Sequence, residues 1–200
     1  MARRTLPALG VAIVALVAVT GCTSVSAGTP TATRPAGLKL NGAPHVADPL
    51  STDKFQSEPC LTVPATQLTA LNIGTQSNNT FNMMIGPSCQ WGPGPDMDPN
   101  VFRAIVTYRT SESGLSSIYG RRHSYKVFTP LSPIDGYPAV LDEQTDQRPY
   151  GGCVITVGVS DGVAVDVGLT VSSGQYATNP CTPGAQFAAD VVTGIETGGA

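Results

Sequence analysis

Alternating apolar and polar positions near the C-terminal end of the chain predict an antiparallel hairpin. Apolar side chains stand at every second position over 153–159 and again over 163–171. Asp161-Gly162 lies between the two runs and is typical of a two-residue hairpin turn. Because successive side chains of a strand point to opposite faces, each run has one apolar face. We therefore predict two paired strands with one buried face.

Weaker alternation predicts further strands that extend this hairpin into a sheet. The predicted strands cover residues 80–85, 88–91, 101–110, 127–131 and 139–141. Cys89 and Trp91 are two residues apart and share a face of their strand. The 101–110 strand has one apolar face, formed by Phe102, Ala104, Val106 and Tyr108.

Helical spacing predicts short helices that cover the sheet. One helix is predicted over 62–74, with Thr62 as its N-cap and Gly74 at its end, and another over 111–120. A last helix follows Cys181, and its apolar stripe consists of Phe187, Ala188, Val191, Val192 and Ile195. Such a stripe needs an apolar surface to cover. The predicted fold is α+β, an antiparallel sheet with short helices packed on one face.

The N-terminal residues have the order of a secretory signal. Arg3 and Arg4 supply a positive start, an apolar run covers 6–19, and small residues lead to Cys22. The apolar run is well below the ~20 residues that a membrane-spanning helix needs. Val19-Thr20-Gly21-Cys22 matches the bacterial lipobox, in which the cysteine thiol receives a diacylglycerol group and cleavage precedes the cysteine. We predict a signal peptide over 1–21 and a lipid anchor on Cys22.

Two alternatives concern modification and export. The first is an ordinary signal peptide followed by a free Cys22 thiol. The second is the twin-arginine route, because Arg3-Arg4 is present, although Thr5-Leu6-Pro7 fits that signal poorly. Export by the general secretory route and export by the twin-arginine route both lead to the extracytoplasmic face of the cell membrane.

A change of composition divides the mature chain. Residues 22–48 begin with Cys22 and are rich in Thr, Ser, Ala, Gly and Pro without apolar periodicity, which is typical of a flexible tether. Residues 49–200 carry the strand and helix patterns and are predicted to form a single extracytoplasmic domain. Loss of the signal removes two of 11 basic residues and none of 14 acidic ones, so the mature net charge is about −5. This balance argues against a nucleic-acid partner.

Four cysteines remain once Cys22 carries lipid: Cys60, Cys89, Cys153 and Cys181. An even set in an exported protein indicates two disulfides. Three pairings are possible, and the nearly equal spacings favour Cys60–Cys89 and Cys153–Cys181. A metal site is the alternative, but the chain has no C-x-x-C pair and contains only two histidines.

The order of these motifs resembles a known family. The matching stretches are Pro59-Cys60, Cys89-Gln90-Trp91, Gly136-Tyr137-Pro138-Ala139, Cys153 to Val157, and Cys181 to Ile195. Together they resemble the actinobacterial lipoprotein family catalogued as domain of unknown function 3558. The resemblance implies a cell-envelope lipoprotein, matches the four cysteine positions, and assigns no reaction.

The sequence contains no recognisable catalytic motif. A G-x-S-x-G elbow, a Walker A loop and a dinucleotide-binding glycine motif are all missing. His45 lies in the predicted tether. His123 would need a partner such as Asp135 or Glu143 to act in catalysis. We therefore predict no catalytic residues, cofactor or metal.

Three local features have both a functional and a structural interpretation. Residues 96–100 imitate the start of a calcium loop, but the sixth position is Val101 and the twelfth is Thr107, where glycine and glutamate are required. A basic cluster of Arg121, Arg122 and Lys126 around Tyr125 suits an anionic partner, or is a solvated helix end. Trp91 is either a stacking platform for a ligand or part of the core.

These observations favour a non-enzymatic binding or interaction module anchored to the cell membrane. Its expected partners are membrane lipid through the Cys22 anchor, and an envelope ligand or a membrane protein. An enzyme acting on envelope substrates and an accessory structural lipoprotein are the alternatives.

Overall fold

The computed structural model describes residues 39–82, 85–94, 98, 100–110 and 113–199. Seven strands form one antiparallel sheet in the order β1-β2-β3-β7-β6-β5-β4. The strands are β1 (Gln76–Asn82), β2 (Gly86–Gly92), β3 (Arg103–Arg109), β4 (Val127–Pro130), β5 (Ala139–Glu143), β6 (Gly152–Gly158) and β7 (Ala164–Thr170). The predicted hairpin, β6 and β7, is central because its residues are the most consistently apolar on one face.

Within the described ranges, four α-helices and three short 3-10 helices accompany the sheet. The α-helices are α1 (Asp53–Ser57), α2 (Ala65–Ala70), α3 (Gly114–Gly120) and α4 (Cys181–Thr197). The 3-10 helices are Pro59–Leu61, Arg122–Ser124 and Arg148–Tyr150. The α+β prediction is confirmed.

The main core lies between α4 and one face of the sheet, which we call the first face; the opposite face is the second face. All five residues of the predicted α4 stripe are buried, and α4 packs mainly on β6 and β7. The ring of Trp91 lies edge-on to that of Phe187, with ring centroids 5.9 Å apart. Trp91 is 3% exposed, so it belongs to the core and its ring is no ligand platform.

Helix α3 lies on the second face of the sheet, which the sequence did not indicate. Leu115, Ile118 and Tyr119 form a separate buried cluster with Val140 of β5 and Ala164 of β7. Gly158 makes room for this helix, since a Cβ there would lie 2.8 Å from Leu115. Helix α3 covers only the end of the second face that contains Gly158 and Ala164. The opposite end of this face stays accessible.

Two disulfides fasten the elements around the core. Cys60 is joined to Cys89, and Cys153 to Cys181. This is the pairing that the sequence spacing favoured. The first bond ties the 3-10 helix Pro59–Leu61 to β2, and the second ties the start of α4 to β6.

Local bounds differ from the predictions where backbone geometry overrides residue preference. The predicted 62–74 helix is the shorter α2, with Pro64 at its N-cap, and it ends before Asn72, which has φ of 59°. Thr62 does not cap it, because its hydroxyl bonds to Pro59 O and to the Tyr108 hydroxyl. The β6–β7 turn is longer than the predicted two residues, because Val159 N donates to Val163 O.

Residues 39–48, assigned to the tether from composition, pack on the folded domain. Ala43 and Val46 are buried, and Leu50 N donates to Val159 O. His45 Nδ1 lies 2.6 Å from Asp161 Oδ2, and Val46 N donates to Asp161 Oδ1 at 3.0 Å. The packed chain thus begins before Pro49, and the carboxylate in the β6–β7 turn holds it there.

Candidate binding groove

The accessible end of the second face is a groove that crosses five strands. One row of the register joins Asn78, Gln90, Ile105, Gly168 and Val154 across β1, β2, β3, β7 and β6. The groove over this row and the next has a volume of about 470 Å³. That volume suits a ligand of several fused or linked rings.

Small residues keep the floor of the groove low. Gly168 is at its centre, and a Cβ there would lie 2.6 Å from Ile105 Cγ2. Gly92 and Gly152 line the next row toward the sheet end. Ile105 and Val154 supply the apolar part of the floor. Exposed Arg103 and Thr170 also line the groove, from the central strands β3 and β7.

The walls of the groove are mainly amide side chains. Gln76, Asn78 and Gln90 line one side, and Gln147 lies with Tyr150 on the other. A side-chain amide offers two N–H donors and a carbonyl acceptor. These walls can therefore both donate hydrogen bonds to a neutral polar ligand and accept hydrogen bonds from it. Tyr150 is 78% exposed, which leaves much of its ring in solvent beside the groove.

Hydrogen bonds to Glu143 and the backbone conformation of Gly151 fix the loop that carries Gln147 and Tyr150. Buried Glu143 accepts bonds from Gln147 N at 2.9 Å and from Val154 N at 3.1 Å. Gly151 follows Tyr150 in the left-handed region, with φ of 78°, and a Cβ there would lie 2.0 Å from Val171 O. Glycine is required there, and the wall is positioned before any ligand arrives.

A row of charged and hydroxyl groups separates the groove from α3. Arg109 Nε donates to Asp166 Oδ1 at 2.7 Å, and Thr156 Oγ1 lies 2.8 Å from the same oxygen. Thr156 Oγ1 also lies 2.6 Å from Asp142 Oδ1. Burial raises the pKa of the Asp142 carboxyl to about 7, against the lowering effect of the Thr156 hydrogen bond. Asp142 is 5% exposed, so this carboxyl is closed to a substrate.

The described lining of the groove consists mainly of groups that form hydrogen bonds and apolar contacts. Its described lining contains one charged side chain, Arg103, and Cys153 is held in a disulfide. No nucleophile with a neighbouring base lines it within the described residues. Within the same part of the chain, no group of three His, Cys, Asp or Glu residues is arranged to hold a metal.

Comparison with known proteins identifies a family without an assigned activity. Residues 17–193 match the model described as a protein of unknown function, DUF3558. The chain belongs to this family. No curated protein and no solved structure matches it. The match thus confirms domain of unknown function 3558 as the family that the sequence motifs resemble, and the function has to be inferred from the groove.

The structure does not unite the residues considered for catalysis in the sequence. His123 is exposed in a 3-10 helix, Asp135 is exposed in a turn with φ of 48°, and Glu143 is buried under the groove wall. No hydrogen bond or ion pair joins His123 to either carboxylate in the described part of the chain. His45 pairs with Asp161. That pair escaped sequence reasoning because the two residues are 116 positions apart.

Other predicted sites lie partly beyond the described residues. Cys22 and the signal peptide are outside them, as are positions 95–97 and 99 of the calcium-like loop. In the basic cluster, Arg121, Arg122 and Lys126 are exposed, whereas Tyr125 is half-buried against Phe128. None of the described helices is long and apolar enough to cross a membrane. The groove residues were missed because polar residues on exposed strand faces have no motif of their own.

Proposed function

We propose that the protein is a lipid-anchored binding protein of the actinobacterial cell envelope, and that its groove takes a neutral, hydroxyl-rich ligand such as a glycan segment. The amide-lined groove carries this proposal. Hydroxyl groups both donate and accept hydrogen bonds, as do the side-chain amides of Gln76, Asn78, Gln90 and Gln147.

The geometry of the groove supports a ring-shaped ligand. Ile105 and Val154 offer an apolar floor, and Tyr150 offers an exposed aromatic ring at the margin. The C–H face of a sugar packs on such surfaces while its hydroxyls bond to the polar walls. The groove is open, so it suits part of a longer chain as well as a small molecule.

Export and anchoring are supported by the sequence and by the cysteines. The lipobox at Val19-Thr20-Gly21-Cys22 ends an apolar run, and the other four cysteines form disulfides. Disulfides are typical of oxidising compartments outside the cytoplasm. A domain on a lipid anchor is well placed to hold a ligand near the membrane.

The anchor is tested by mass spectrometry of the native protein and of Cys22→Ala. The expected native form begins at Cys22 and carries two or three acyl chains. Cys22→Ala should leave the precursor uncleaved or release the chain from the membrane fraction. A native Cys22 without lipid contradicts the anchor.

The groove is tested by calorimetric titration with neutral oligosaccharides of N-acetylglucosamine, mannose, galactose and arabinose. Tyr150→Ala and Gln90→Ala should each weaken binding about tenfold, which corresponds to ~1.4 kcal/mol. Phe81→Ala is the matched control, because Phe81 is 69% exposed and lies on the first face of the sheet. Absence of binding to all four probes, or equal loss with Phe81→Ala, contradicts the glycan assignment.

A further inference from the structure

Exposed cationic side chains surround the point where the chain enters the folded domain. They are Lys39, Arg121, Arg122 and Lys126, which we call the basic face. The last three follow helix α3 directly, and Arg122 Nη1 donates to Tyr119 O at 3.0 Å. The mature chain has an excess of acidic residues, yet four of its nine Lys and Arg residues lie here.

Contacts of residues 40–42 fix the entry point beside α3. Asn41 Nδ2 donates to Ser116 O at 3.0 Å and lies 3.1 Å from the position of a Cβ on Gly120. Leu40 packs in the same cluster as Tyr119, Tyr125 and Phe128. Lys39 is therefore brought next to the residues that follow α3, although more than 80 positions separate them in sequence.

The two segments that form the basic face, residues 39–42 and 113–126, contain no Asp or Glu. Asp166 is paired with Arg109, and Asp146 with Arg148, each at 2.7 Å. Burial raises the pKa of the Asp142 carboxyl to about 7, so this group carries less than a full negative charge at neutral pH. The basic face therefore keeps a net positive charge.

We propose that the basic face rests on an anionic phospholipid surface, so that the domain is held at the membrane by the Cys22 lipid and by electrostatic attraction together. This orientation rests on the lipid anchor of the proposed function. Residues 23–38 separate Cys22 from Lys39, and even fully extended they reach about 60 Å. Each Lys or Arg near an anionic membrane adds an attraction of about 1 kcal/mol, which corresponds to a factor of about five in binding.

The experiment uses the mature chain with Cys22→Ala, so that binding does not depend on the lipid. Sedimentation with vesicles of 30% phosphatidylglycerol in phosphatidylcholine should bring down the chain at low salt, and added salt should release it. Pure phosphatidylcholine vesicles should not bind. Lys126→Gln should weaken binding about fivefold, and the triple variant Arg121→Gln/Arg122→Gln/Lys126→Gln should abolish it.

The control is Lys54→Gln, which removes an exposed cation from α1 on the first face of the sheet. It should bind as the parent chain does. Trp91 fluorescence checks that every variant is folded. Undiminished binding by the triple variant, or equal binding to neutral vesicles, contradicts the proposal that the basic face binds an anionic membrane. An unmodified Cys22 in the native protein overturns the anchor alone, so the two failures are distinct.

Discussion

The hydroxyl oxygen of Thr156 lies 2.6 Å from a carboxyl oxygen of Asp142. The same hydroxyl lies 2.8 Å from Asp166 Oδ1, which also accepts a hydrogen bond from Arg109 Nε. One hydroxyl has one proton and cannot donate to both. Asp142, whose pKa burial raises to about 7, therefore supplies the second proton and donates to Thr156. Below neutral pH, one hydrogen-bonded row runs from Asp142 to Arg109.

Asp142→Asn should remove part of the pH dependence of stability. The folded pKa of about 7 lies above the ordinary value of 3.8, so the stability that Asp142 contributes is complete below pH 4 and is lost as pH rises to 7. Between pH 5 and pH 8 this loss amounts to about 2–3 kcal/mol. Urea unfolding followed by Trp91 fluorescence at both pH values measures it.

In Asp142→Asn, the amide replaces the protonated carboxyl and donates to Thr156 at every pH. The variant should therefore be more stable than the parent at pH 8. Asp53→Asn removes an exposed carboxylate and should keep the parental difference between pH 5 and pH 8. An unchanged pH difference in Asp142→Asn would contradict the shared proton.

Thr156→Val should destabilise the protein by about 1–3 kcal/mol, because the shape is kept and two carboxyl groups lose their shared partner. Thr156 is fully buried, so water cannot replace the hydroxyl. Thr156→Ser keeps the hydroxyl and loses one methyl, so it should cost about 1 kcal/mol or less. Equal losses in the two variants would show that packing, not the hydrogen bonds, matters there.

Two glycines of helix α4 should respond in opposite ways to alanine. A Cβ on Gly194 would lie 1.9 Å from the backbone oxygen of Thr62, so Gly194→Ala must push α4 away and should cost about 2 kcal/mol or more. A Cβ on Gly184 would meet Cys153 at 3.5 Å, an ordinary contact. Gly184→Ala should therefore be neutral or gain up to about 1 kcal/mol from helix propensity. Similar unfolding midpoints for the two variants would contradict this packing.

Loss of either disulfide should lower the free energy of unfolding by a similar amount. The bonds close loops of 29 and 28 residues, for which the chain-entropy model gives about 3–4 kcal/mol each. Urea unfolding of Cys60→Ala/Cys89→Ala and of Cys153→Ala/Cys181→Ala tests this. A much larger loss in one variant would show that native packing around that bond outweighs loop entropy.

Asp161→Ala should loosen the packed segment 43–50. Its carboxylate accepts from Val46 N and pairs with His45, so both contacts disappear together. Hydrogen exchange at Val46 should accelerate at least about tenfold if the lost bond is worth ~1.4 kcal/mol. His45→Ala keeps the bond to Val46 N and should have a smaller effect. Unchanged exchange in Asp161→Ala would mean that apolar packing alone holds the segment.

The sequence by itself determined the fold class and the apolar faces of the central hairpin and of α4, and it favoured the disulfide pairing that the structure has. These features depend on local periodicity: the alternation over 153–171, the stripe on α4 and the spacing of Cys60–Cys89 and Cys153–Cys181. Periods of two and 3.6 residues follow from backbone geometry and survive any arrangement of the elements. The same motifs were enough to predict the family, which the match over residues 17–193 confirms.

Only the tertiary structure decided which polar residues meet. Sequence reasoning treated His45 as part of a tether, yet Asp161 holds it, and it placed every helix on one face, yet α3 covers part of the other. The groove joins Asn78 to Val154 across five strands, and the proton-sharing row joins Asp142 to Arg109 across four. Such contacts depend on strand order and register, which are set by long-range packing and leave no local period in the sequence.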